Sequence, residues 1–399
     1  MALANKSITT SKLSFVVFAG MDWWYHSHAH ADVQLAKNLA ITEPVLFVNT
    51  IGMRMPLPGN TEQPFRRIVQ KIKSTSKLFR RPQSDNGSFG VLSAINVPMF
   101  GSPRAAAMNA AAVALQVRLA CHRLAIVRPV CIVTIPTAID IVERMEVADV
   151  WYYRSDNHRA DPGVDRDLIT LYEDRLFERA TKVLYSSQAL MDSEQDRHGG
   201  KAIFFDQGID AELFLGSVPS QEPFDLACIP HLRIGYYGQL EPHGVDMELL
   251  LRTAREIPEA SVVLVGSSAV DTSALAALPN VYLLGRKLHA EIPSYGHGFD
   301  VAIMPRPDSE WSRSSNPIKL KEYLALGLPI VSTWLPELEY YKDVVRVGRT
   351  PDEFVTAVRA SLADGGVGTP ASRKDRVANA TWANRASELI SFARSQEPS

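Results

Sequence analysis

The sequence predicts an α/β protein built from two doubly wound, Rossmann-like domains in tandem. The first observation is that short, continuous apolar runs alternate with segments of helical spacing, as expected for parallel strands buried on both faces. The second is a Gly- and Pro-containing lapse over 215–231, after which the same alternation starts again. The third is the length, because 399 residues suit two domains of ordinary size.

The first series of elements fills residues 1–215. Continuous apolar runs predict strands at Phe15–Ala19, Val45–Val48, Val130–Ile135, Val150–Tyr153, Lys182–Tyr185 and Ala202–Phe205. Apolar residues on adjacent turns predict helices at Asp32–Ala40, Arg104–Leu124 and Leu168–Ala180. The alternation indicates a parallel sheet with helices on both faces.

The second series fills residues 231–375. The predicted strands are Leu232–Tyr237, Ser261–Val265, Val281–Leu284, Val301–Met304, Ile330–Ser332 and Val344–Val347. The predicted helices are Met247–Glu256, Ile318–Leu326 and Pro351–Leu362, and a last helix, Trp382–Arg394, lies beyond the pattern within residues 376–399. In folds of this kind a ligand binds outside the carboxyl ends of the strands.

Charge is distributed unevenly between the two halves of the chain. The formal net charge is only −2, from 42 Lys and Arg against 44 Asp and Glu. Residues 1–139 hold 15 Lys and Arg against 5 Asp and Glu, a balance of +10, so the remaining 260 residues carry −12. A basic first half indicates an anionic surface or partner for that half.

The densest basic segment is Phe65–Arg81, which holds seven Lys or Arg and no acidic residue. Its apolar residues recur at helical spacing, and a basic amphipathic helix lies flat on an anionic membrane, where each cation contributes about 1 kcal/mol. The residues expected to contact the membrane are Phe65, Arg66, Arg67, Ile68, Lys71, Ile72 and Lys73. The alternative is a solvated surface helix. Nucleic acid is not expected, because base-stacking aromatics are not interleaved with the cations.

The segment 316–333 begins with a helix start that can bind an anion. Pro317 suits the first helical position and Asn316 is a good N-cap, so free backbone N–H groups and a positive dipole end are expected there. Lys319 and Glu322 lie three residues apart, where Lys can reach a diphosphate and Glu can accept hydrogen bonds from ribose hydroxyls. On spacing alone, a weak surface ion pair is the commoner interpretation.

This segment resembles the N-P-x-K-x-x-E-Y-L-A-x-G-x-P-V-V-S-T signature of bacterial GT-B glycosyltransferases. The version that it resembles most occurs in the GT4-like group, which includes teichuronic-acid and exopolysaccharide transferases. The resemblance implies that Lys319 contacts the diphosphate of a nucleotide-sugar donor and that Glu322 contacts its ribose. It also implies the GT-B fold, in which two Rossmann-like domains face a cleft.

Five further segments resemble the family in the right order. They are the turn Gln207–Phe214, the strand and glycine turn Leu232–Leu240, the strands Pro279–Arg286 and Phe299–Pro305, and the terminal segment Thr381–Arg385. The resemblance implies an acceptor-binding domain at 1–215, a donor-binding domain at 231–375, and a terminal helix at 376–399 that returns to the first domain. The implied donor-binding residues are Gly238, Gln239, Arg286, Asn316, Pro317, Lys319 and Glu322.

The chain departs from the family's pattern at two places. Ser314 stands eight residues before Glu322, where the larger retaining family carries a glutamate that contacts the donor sugar. Gln239 to His243 replace the Arg and Lys that usually follow the first strand of the second domain. The stereochemical outcome of transfer is therefore left open.

Asp156 is the candidate catalytic base. It follows the strand Val150–Tyr153, where a side chain points into the cleft, and a base must lie within hydrogen-bond reach of the acceptor hydroxyl if configuration inverts. The segment Tyr152–His158 resembles the Y-R-x-S-D turn of related transferases, and the corresponding Asp is the proposed base in an inverting GT-B glucuronosyltransferase. The alternative is that Asp156 caps the following turn.

The loop after the first strand is aromatic and rich in histidine. Aromatic faces stack on sugar rings and the loop faces the cleft, so we expect acceptor binding by Gly20, Asp22, Trp23, Trp24, His26 and His30. Asp22 is the second candidate base. Structural packing is the alternative. The His-x-His-x-His spacing also fits a metal, but no acidic or Cys cluster accompanies it, so no metal and no cofactor are predicted.

These observations predict a glycosyltransferase that uses a nucleotide-diphosphate sugar, with UDP as the expected nucleotide. The acceptor is expected to be a lipid-linked or polymeric cell-surface glycan, and the protein is expected in the cytoplasm, peripheral at the inner face of the plasma membrane. A UDP-sugar 2-epimerase of related fold and a non-catalytic nucleotide-sugar-binding protein are the alternatives. A dehydrogenase is disfavoured because no G-x-G-x-x-G follows the first strand.

Overall fold

The computed structural model describes residues 13–25, 28–51, 78–82, 88–96, 103–161, 163–216 and 221–395. In the first half the strands are β1 (Phe15–Phe18), β2 (Val45–Val48), β3 (Phe79–Arg80), β4 (Phe89–Leu92), β5 (Val130–Val133), β6 (Asp149–Arg154), β7 (Lys182–Tyr185) and β8 (Ala202–Phe204). The helices are α1 (Ala31–Leu39), α2 (Pro103–Arg123), α3 (Ile139–Val142), α4 (Arg166–Arg179), α5 (Gln188–Ser193), α6 (Gln195–His198) and α7 (Ala211–Phe214).

The second half repeats the alternation. Its strands are β9 (Arg233–Tyr237), β10 (Ser261–Val265), β11 (Val281–Gly285), β12 (Val301–Met304), β13 (Ile330–Thr333) and β14 (Arg346–Gly348). Its helices are α8 (Phe224–Ala227), α9 (Met247–Glu256), α10 (Ser273–Ala276), α11 (Ile292–Gly296), α12 (Glu310–Arg313), α13 (Ile318–Leu326), α14 (Pro351–Asp364), α15 (Pro370–Asp375) and α16 (Trp382–Ser395). Short 3₁₀ turns lie at Pro136–Ala138, His158–Ala160, His289–Glu291 and Pro336–Tyr341.

Each half forms its own sheet. The described strands of the first are ordered β3-β4-β2-β1-β5-β6-β7-β8, all parallel to their neighbours apart from β3, which is antiparallel to β4. The second is parallel throughout, in the order β11-β10-β9-β12-β13-β14. In both sheets the strand order reverses beside the first strand of the series, so the loops after β1, β5, β9 and β12 surround the ligand-binding crevice of a doubly wound fold.

Apolar strands explain both cores. Phe15, Val17 and Phe47 belong to a cluster on one face of the first sheet, while Val16 and Leu46 belong to the cluster on the other. The second sheet is likewise covered on both faces. The predicted doubly wound, two-sheet architecture is confirmed, because strands with every residue buried can form only where helices cover both sides.

The terminal helix α16 packs on the first domain, as expected. Trp382, Leu389 and Ile390 are buried in the cluster that contains Phe15 and Trp151. Arg394 at the far end of the helix forms an ion pair with Glu43 at 2.6 Å. The chain that begins with the first sheet therefore returns to it after completing the second.

Strands β3 and β4 were not predicted from the sequence. Gly90 interrupts the apolar run of β4, and a Cβ at this position would stand 2.6 Å from the Phe79 ring. The glycine is needed because the Phe79 ring of the adjacent strand occupies the space that a side chain would fill. A glycine inside the strand also interrupts the continuous apolar run from which strands are predicted.

Candidate active site

A glycine turn, a lysine and a tyrosine ring meet at the carboxyl end of β9. Gly238 has a φ of +136°, which L side chains rarely adopt. A Cβ here would stand 2.2 Å from Lys319 Cε and 2.7 Å from Nζ, so the glycine lets the lysine lie against the turn. Lys319 Nζ is 5.4 Å from the centroid of the Tyr236 ring. Within the described residues no carboxylate lies within 4 Å of Lys319 Nζ, so its charge can serve an incoming anion.

A second cation, Arg306, follows the adjacent strand β12. Thr333 Oγ1 accepts a hydrogen bond from Arg306 N at 3.0 Å and donates one to Arg306 O at 2.9 Å, which fixes the backbone. Arg306 Nε is buried and has no hydrogen-bond partner among the described residues. Burial lowers the pKa of Arg306, while Tyr236, Asp156 and Glu241 act in the opposite direction. Since an arginine stays charged at neutral pH, Arg306 offers an unsatisfied cationic donor near residues of both domains.

Glu322 lies almost one turn along α13 from Lys319 and is buried. Its Oε1 is 3.9 Å from His289 Nε2, which is also buried and has no hydrogen-bond partner in the described part of the chain. The Phe214 and His289 rings pack with their centroids 5.8 Å apart. A carboxylate beside an unsatisfied imidazole can accept and donate hydrogen bonds, as two ribose hydroxyls require.

The start of α13 differs from the sequence prediction. Pro317 occupies the N-cap position and the helix begins at Ile318, so Asn316 is not the N-cap. The Asn316 amide instead donates to Ser186 O at 2.8 Å and Asp206 Oδ1 at 2.9 Å. Lys321, on the same helix, forms a buried ion pair with Asp206. Asn316 therefore connects the start of α13 to the first domain through two hydrogen bonds of its side-chain amide, instead of capping the helix.

Gln239 and Arg286, the other predicted donor residues, lie at the carboxyl ends of β9 and β11. Both are exposed, and neither side chain makes a hydrogen bond within the described residues. The backbone carbonyl of Gln239 accepts a hydrogen bond from Tyr236 Oη at 3.2 Å. Their donor role stays a prediction.

Asp156 lies in the loop after β6 and is half-buried. Its Oδ2 accepts a hydrogen bond from Ser155 Oγ at 2.9 Å, and its backbone carbonyl accepts one from Arg154 Nη1 at 2.8 Å. It does not cap a helix through its side chain, since the short 3₁₀ turn that follows has no side-chain cap. The charge of Asp156 acts to raise the pKa of Arg306, so the two residues lie within electrostatic range of each other.

The backbone around Asp156 is held by a buried charge network centred on Arg154. Arg154 is fully buried and pairs with Glu173 and with Glu194, the latter at 2.9 Å. The network is completed by Tyr152, Arg159, Tyr185 and Arg197. Burial alone would raise the pKa of Glu194, but the charge of Arg154 and hydrogen bonds from Arg154 and Tyr185 outweigh it and lower that pKa to about 2.

The residue after Asp156 reaches the second domain. Asn157 Nδ2 donates to Glu310 Oε1 at 3.1 Å and lies 3.5 Å from Ser314 Oγ. Glu310 begins α12 and Ser314 is its C-cap, one turn later, and Ser314 Oγ donates to the Glu310 carbonyl at 2.7 Å. A carboxylate is therefore present one turn from the serine that stands where related enzymes carry a glutamate.

The aromatic loop after β1 is partly a packing element. Trp23 is buried, with its ring centroid 5.3 Å from that of Phe47, 4.9 Å from that of Phe89 and 4.7 Å from that of His28. These neighbours occupy its surface, so the structure favours packing over sugar stacking for Trp23. Trp24 is half-buried, and its Nε1 donates to Ser93 Oγ at 3.2 Å.

The remaining residues of the acceptor prediction fall in three places. Asp22 is buried and accepts a hydrogen bond from Trp24 N at 2.9 Å, and its role as the second base stays a prediction. Gly20 and His30 are half-buried at the carboxyl end of β1 and the start of α1. His26 lies outside the described residues. Within the described ranges no group of three or more His, Cys, Asp or Glu side chains is arranged to hold a metal ion.

The residues that were predicted to contact a membrane lie outside the described part of the chain. They are Phe65, Arg66, Arg67, Ile68, Lys71, Ile72 and Lys73. In the part of the chain that the structure describes, no helix combines the length and apolar character needed to span a membrane.

Sequence reasoning missed Arg306, His289 and Glu310. The carboxyl-end rule applied to the strand Val301–Met304 would have singled out Arg306, which follows it by two residues. His289 and Glu310 had no such signal, because each lies on a short turn or helix whose approach to Glu322 or Asn157 depends on tertiary packing.

Comparison with known proteins agrees with the predicted resemblance. Residues 231–364 match the family model described as glycosyl transferases group 1. A segment of 213 residues is 28% identical to TuaH of Bacillus subtilis (strain 168), a protein assigned as a teichuronic acid biosynthesis glycosyltransferase. That match covers 50% of this chain and 53% of TuaH, so the chain matches about half the length of this curated relative.

Solved structures of similar fold cover almost the entire chain. The sucrose-phosphate synthase of Thermosynechococcus elongatus has a TM-score of 0.70 and 14% identity, covering 96% of this chain and 99% of its own. Anabaena HepE, solved with UDP and glucose, has a TM-score of 0.65 and 14% identity, covering 97% and 100%. The second domain therefore resembles group 1 glycosyltransferases over residues 231–364, and the chain shares the GT-B fold of these solved structures.

Proposed function

We propose that the chain is a GT4-like glycosyltransferase that moves a sugar from a nucleotide-diphosphate sugar, with UDP as the nucleotide, to a glycan acceptor. The observation that carries the proposal is a pair of cations, Lys319 against the glycine turn of β9 and Arg306 after β12, neither of which forms an ion pair in the described structure. They lie in the segment that matches group 1 glycosyltransferases. Anabaena HepE, which shares the fold, was solved with UDP and glucose.

Each residue has a defined part in the proposed reaction. Lys319 and Arg306 stabilise the negative charge that develops on the diphosphate as the glycosidic bond breaks, which is where preorganised charge accelerates transfer. Glu322 and His289 hold the ribose. Asp156 accepts the proton of the acceptor hydroxyl as the hydroxyl oxygen attacks the anomeric carbon. Because Gly238 has no side chain, the diphosphate can approach the protein backbone at this turn. No cofactor or metal takes part in this scheme.

We place the acceptor in the first domain, at the end of β1 and around Asp156. The similarity to TuaH supports a cell-envelope glycan as the acceptor class, and the balance of +10 over residues 1–139 supports an acceptor or surface that carries negative charge. The proposed location is the cytoplasm, peripheral at the inner face of the plasma membrane.

A thermal-shift panel with UDP, GDP, dTDP and ADP tests the donor site. A ligand that binds only the folded state raises stability by RT ln(1 + [L]/Kd), so UDP at about 100 times its Kd is expected to add about 2.7 kcal/mol. The absence of a shift with every nucleotide would contradict the donor-site proposal.

Product analysis then tests the reaction class. With a UDP-sugar and a glycan acceptor, transfer releases UDP and extends the acceptor, whereas an epimerase converts the UDP-sugar without any acceptor. A protein that binds UDP-sugars and produces neither product is a binding protein, and that result would refute the proposed transfer.

A further inference from the structure

Helix α2 presents an apolar face to solvent on the first domain. Met108 is 75% exposed, Leu115 51% and Leu119 54%. At about 100° per residue these three side chains fall within about 40° of one another around the helix, with exposed Ala111 and Ala112 beside them. The opposite face is buried in the core through Val113, Ala114 and Val117. The helix is thus apolar on both sides, which a surface helix of a globular protein ordinarily is not.

The charged residues that α2 itself exposes are arginines. The exposed charged residues of α2 are Arg104, Arg118 and Arg123, and residues 103–123 contain no Asp or Glu. Helix α4 gives the contrast, because it also carries an exposed leucine, Leu171, but mixes both signs of charge along its length. The absence of acidic residues therefore distinguishes α2 from a solvated surface helix of the same domain.

Neighbouring segments extend the same surface. Arg81 Nη2 donates to Arg123 O at 2.8 Å, and the Arg123 guanidinium lies 5.8 Å from the centroid of the Phe79 ring. Ile95, 53% exposed, exchanges backbone hydrogen bonds with the side chain of Gln116 on α2. Residues 78–82 and 88–96 likewise contain two arginines and no acidic residue. Within the described residues, these two segments adjoin α2 and share its excess of arginine over acidic residues.

We propose that the exposed face of α2 is a docking surface for an anionic lipid bilayer. Met108, Leu115 and Leu119 would enter the boundary between headgroups and acyl chains, while Arg104, Arg118 and Arg123 would contact anionic headgroups. A second copy of the chain would bring arginines against arginines. The stretch 65–77 of the same chain is also basic and would be repelled in the same way. Charge complementarity therefore favours an anionic lipid over a second copy or over the stretch 65–77. The proposal deepens the membrane location proposed above and rests on it.

Vesicle flotation with the full chain tests the proposal. The probes are vesicles of phosphatidylcholine alone and of phosphatidylcholine with phosphatidylglycerol. The wild type is expected to bind only the second kind, less tightly as salt rises. The triple variant Met108→Gln, Leu115→Gln, Leu119→Gln is expected to reduce this binding about tenfold or more, and so is Arg104→Gln with Arg118→Gln. Gln is a good helix former, so α2 is expected to persist.

Matched controls separate the face from general effects. Ile41→Gln with Leu171→Gln removes equally exposed apolar side chains elsewhere on the first domain, and Arg255→Gln removes an exposed cation of the second. Both are expected to leave vesicle binding unchanged. Wild-type binding that persists in both α2 variants, or is lost only when the cations of 66–73 are neutralised, would overturn the proposal.

Two further readouts keep the result distinct from the proposed function. UDP thermal shifts are expected to be equal in wild type and α2 variants, which shows that each variant is folded and that the donor site is intact. If vesicle binding is unchanged and the triple variant instead alters the sedimentation coefficient, α2 is a contact between copies and the proposal fails. Vesicle binding is measured without donor, so a failure of sugar transfer would not be mistaken for a failure of docking.

Discussion

Lys319 lies directly against Gly238, although the two residues are on different elements and 81 positions apart in sequence. The closeness is possible because Gly238 has no Cβ, which would stand 2.2 Å from Lys319 Cε. Gly238 also has a φ of +136°, so a residue with a side chain would be strained at this position as well. The position of the Lys319 charge thus depends on the absence of a side chain at Gly238.

Gly238→Ala is expected to displace Lys319 and weaken UDP binding about tenfold or more, since each tenfold step in affinity corresponds to about 1.4 kcal/mol. Gly285→Ala is the matched control, because Gly285 also has positive φ (+67°) at the end of a strand but a Cβ there would meet nothing within 4 Å. Titration calorimetry with UDP measures both. Equal losses in the two variants would show that backbone strain, not the contact with Lys319, is responsible.

Lys319→Ala is expected to reduce turnover about 10²-fold or more, because the lysine acts on charge that develops in the transition state. UDP affinity should fall less than turnover. Lys342→Ala, an exposed lysine of the same domain, is the control and should leave both unchanged. Steady-state kinetics with the donor measure the effect, and unaltered turnover and affinity in Lys319→Ala would mean that the donor site is misplaced.

Arg306→Gln is expected to lower turnover about 10-fold to 10²-fold. The reason is that the buried Arg306 Nε, which has no hydrogen-bond partner among the described residues, is proposed to donate to the diphosphate. The thermal shift given by UDP should decrease, whereas the shift given by uridine, which lacks phosphates, should be unchanged. Arg313→Gln, which changes an exposed arginine at the end of α12, is the control. Reduced uridine binding in Arg306→Gln would indicate a structural role instead.

Sequence reasoning succeeded where one chemical property decides the outcome. Strands such as Val130–Val133 are apolar throughout, and burial on both faces is their only stable solution. Sequence reasoning was less informative where a residue's role depends on contacts with segments that are distant in sequence. For Trp23 the sequence left sugar stacking and structural packing open, and only the structure shows the rings of Phe47 and Phe89 beside it. Asn316 was expected to cap α13, but Ser186 and Asp206 of the first domain take its amide protons. Local patterns carry no information about which domain surface faces a residue.

Asp156→Asn is expected to reduce turnover by about 10²-fold or more while UDP affinity stays the same, because the amide cannot accept the acceptor proton. Asp192→Asn, an exposed residue of the same domain, is the control. Turnover and calorimetric UDP binding are measured on the same preparations. Retained turnover would exclude Asp156 as the base, and lost UDP binding would indicate that the substitution disturbs the donor site.

Glu194→Gln tests whether the buried network positions Asp156. The pKa of Glu194 is lowered from 4.5 to about 2, so the ionised group contributes about 3 kcal/mol of stability above pH 5, which is lost as pH falls towards 2. The variant is expected to be less stable at pH 7 and to show a flatter decline between pH 5 and 2 in urea unfolding. Glu178→Gln, an exposed residue on α4, should retain the wild-type decline.

The same substitution is expected to reduce turnover at pH 7 more than it changes KM for the donor. Arg154 donates to the Asp156 carbonyl, so a less firmly held Arg154 leaves the base less well oriented, while the donor site in the second domain is untouched. Turnover is measured at urea concentrations too low to unfold the variant, so that a change in turnover is not caused by unfolding. A variant that loses stability but keeps wild-type turnover would show that the network supports the fold alone.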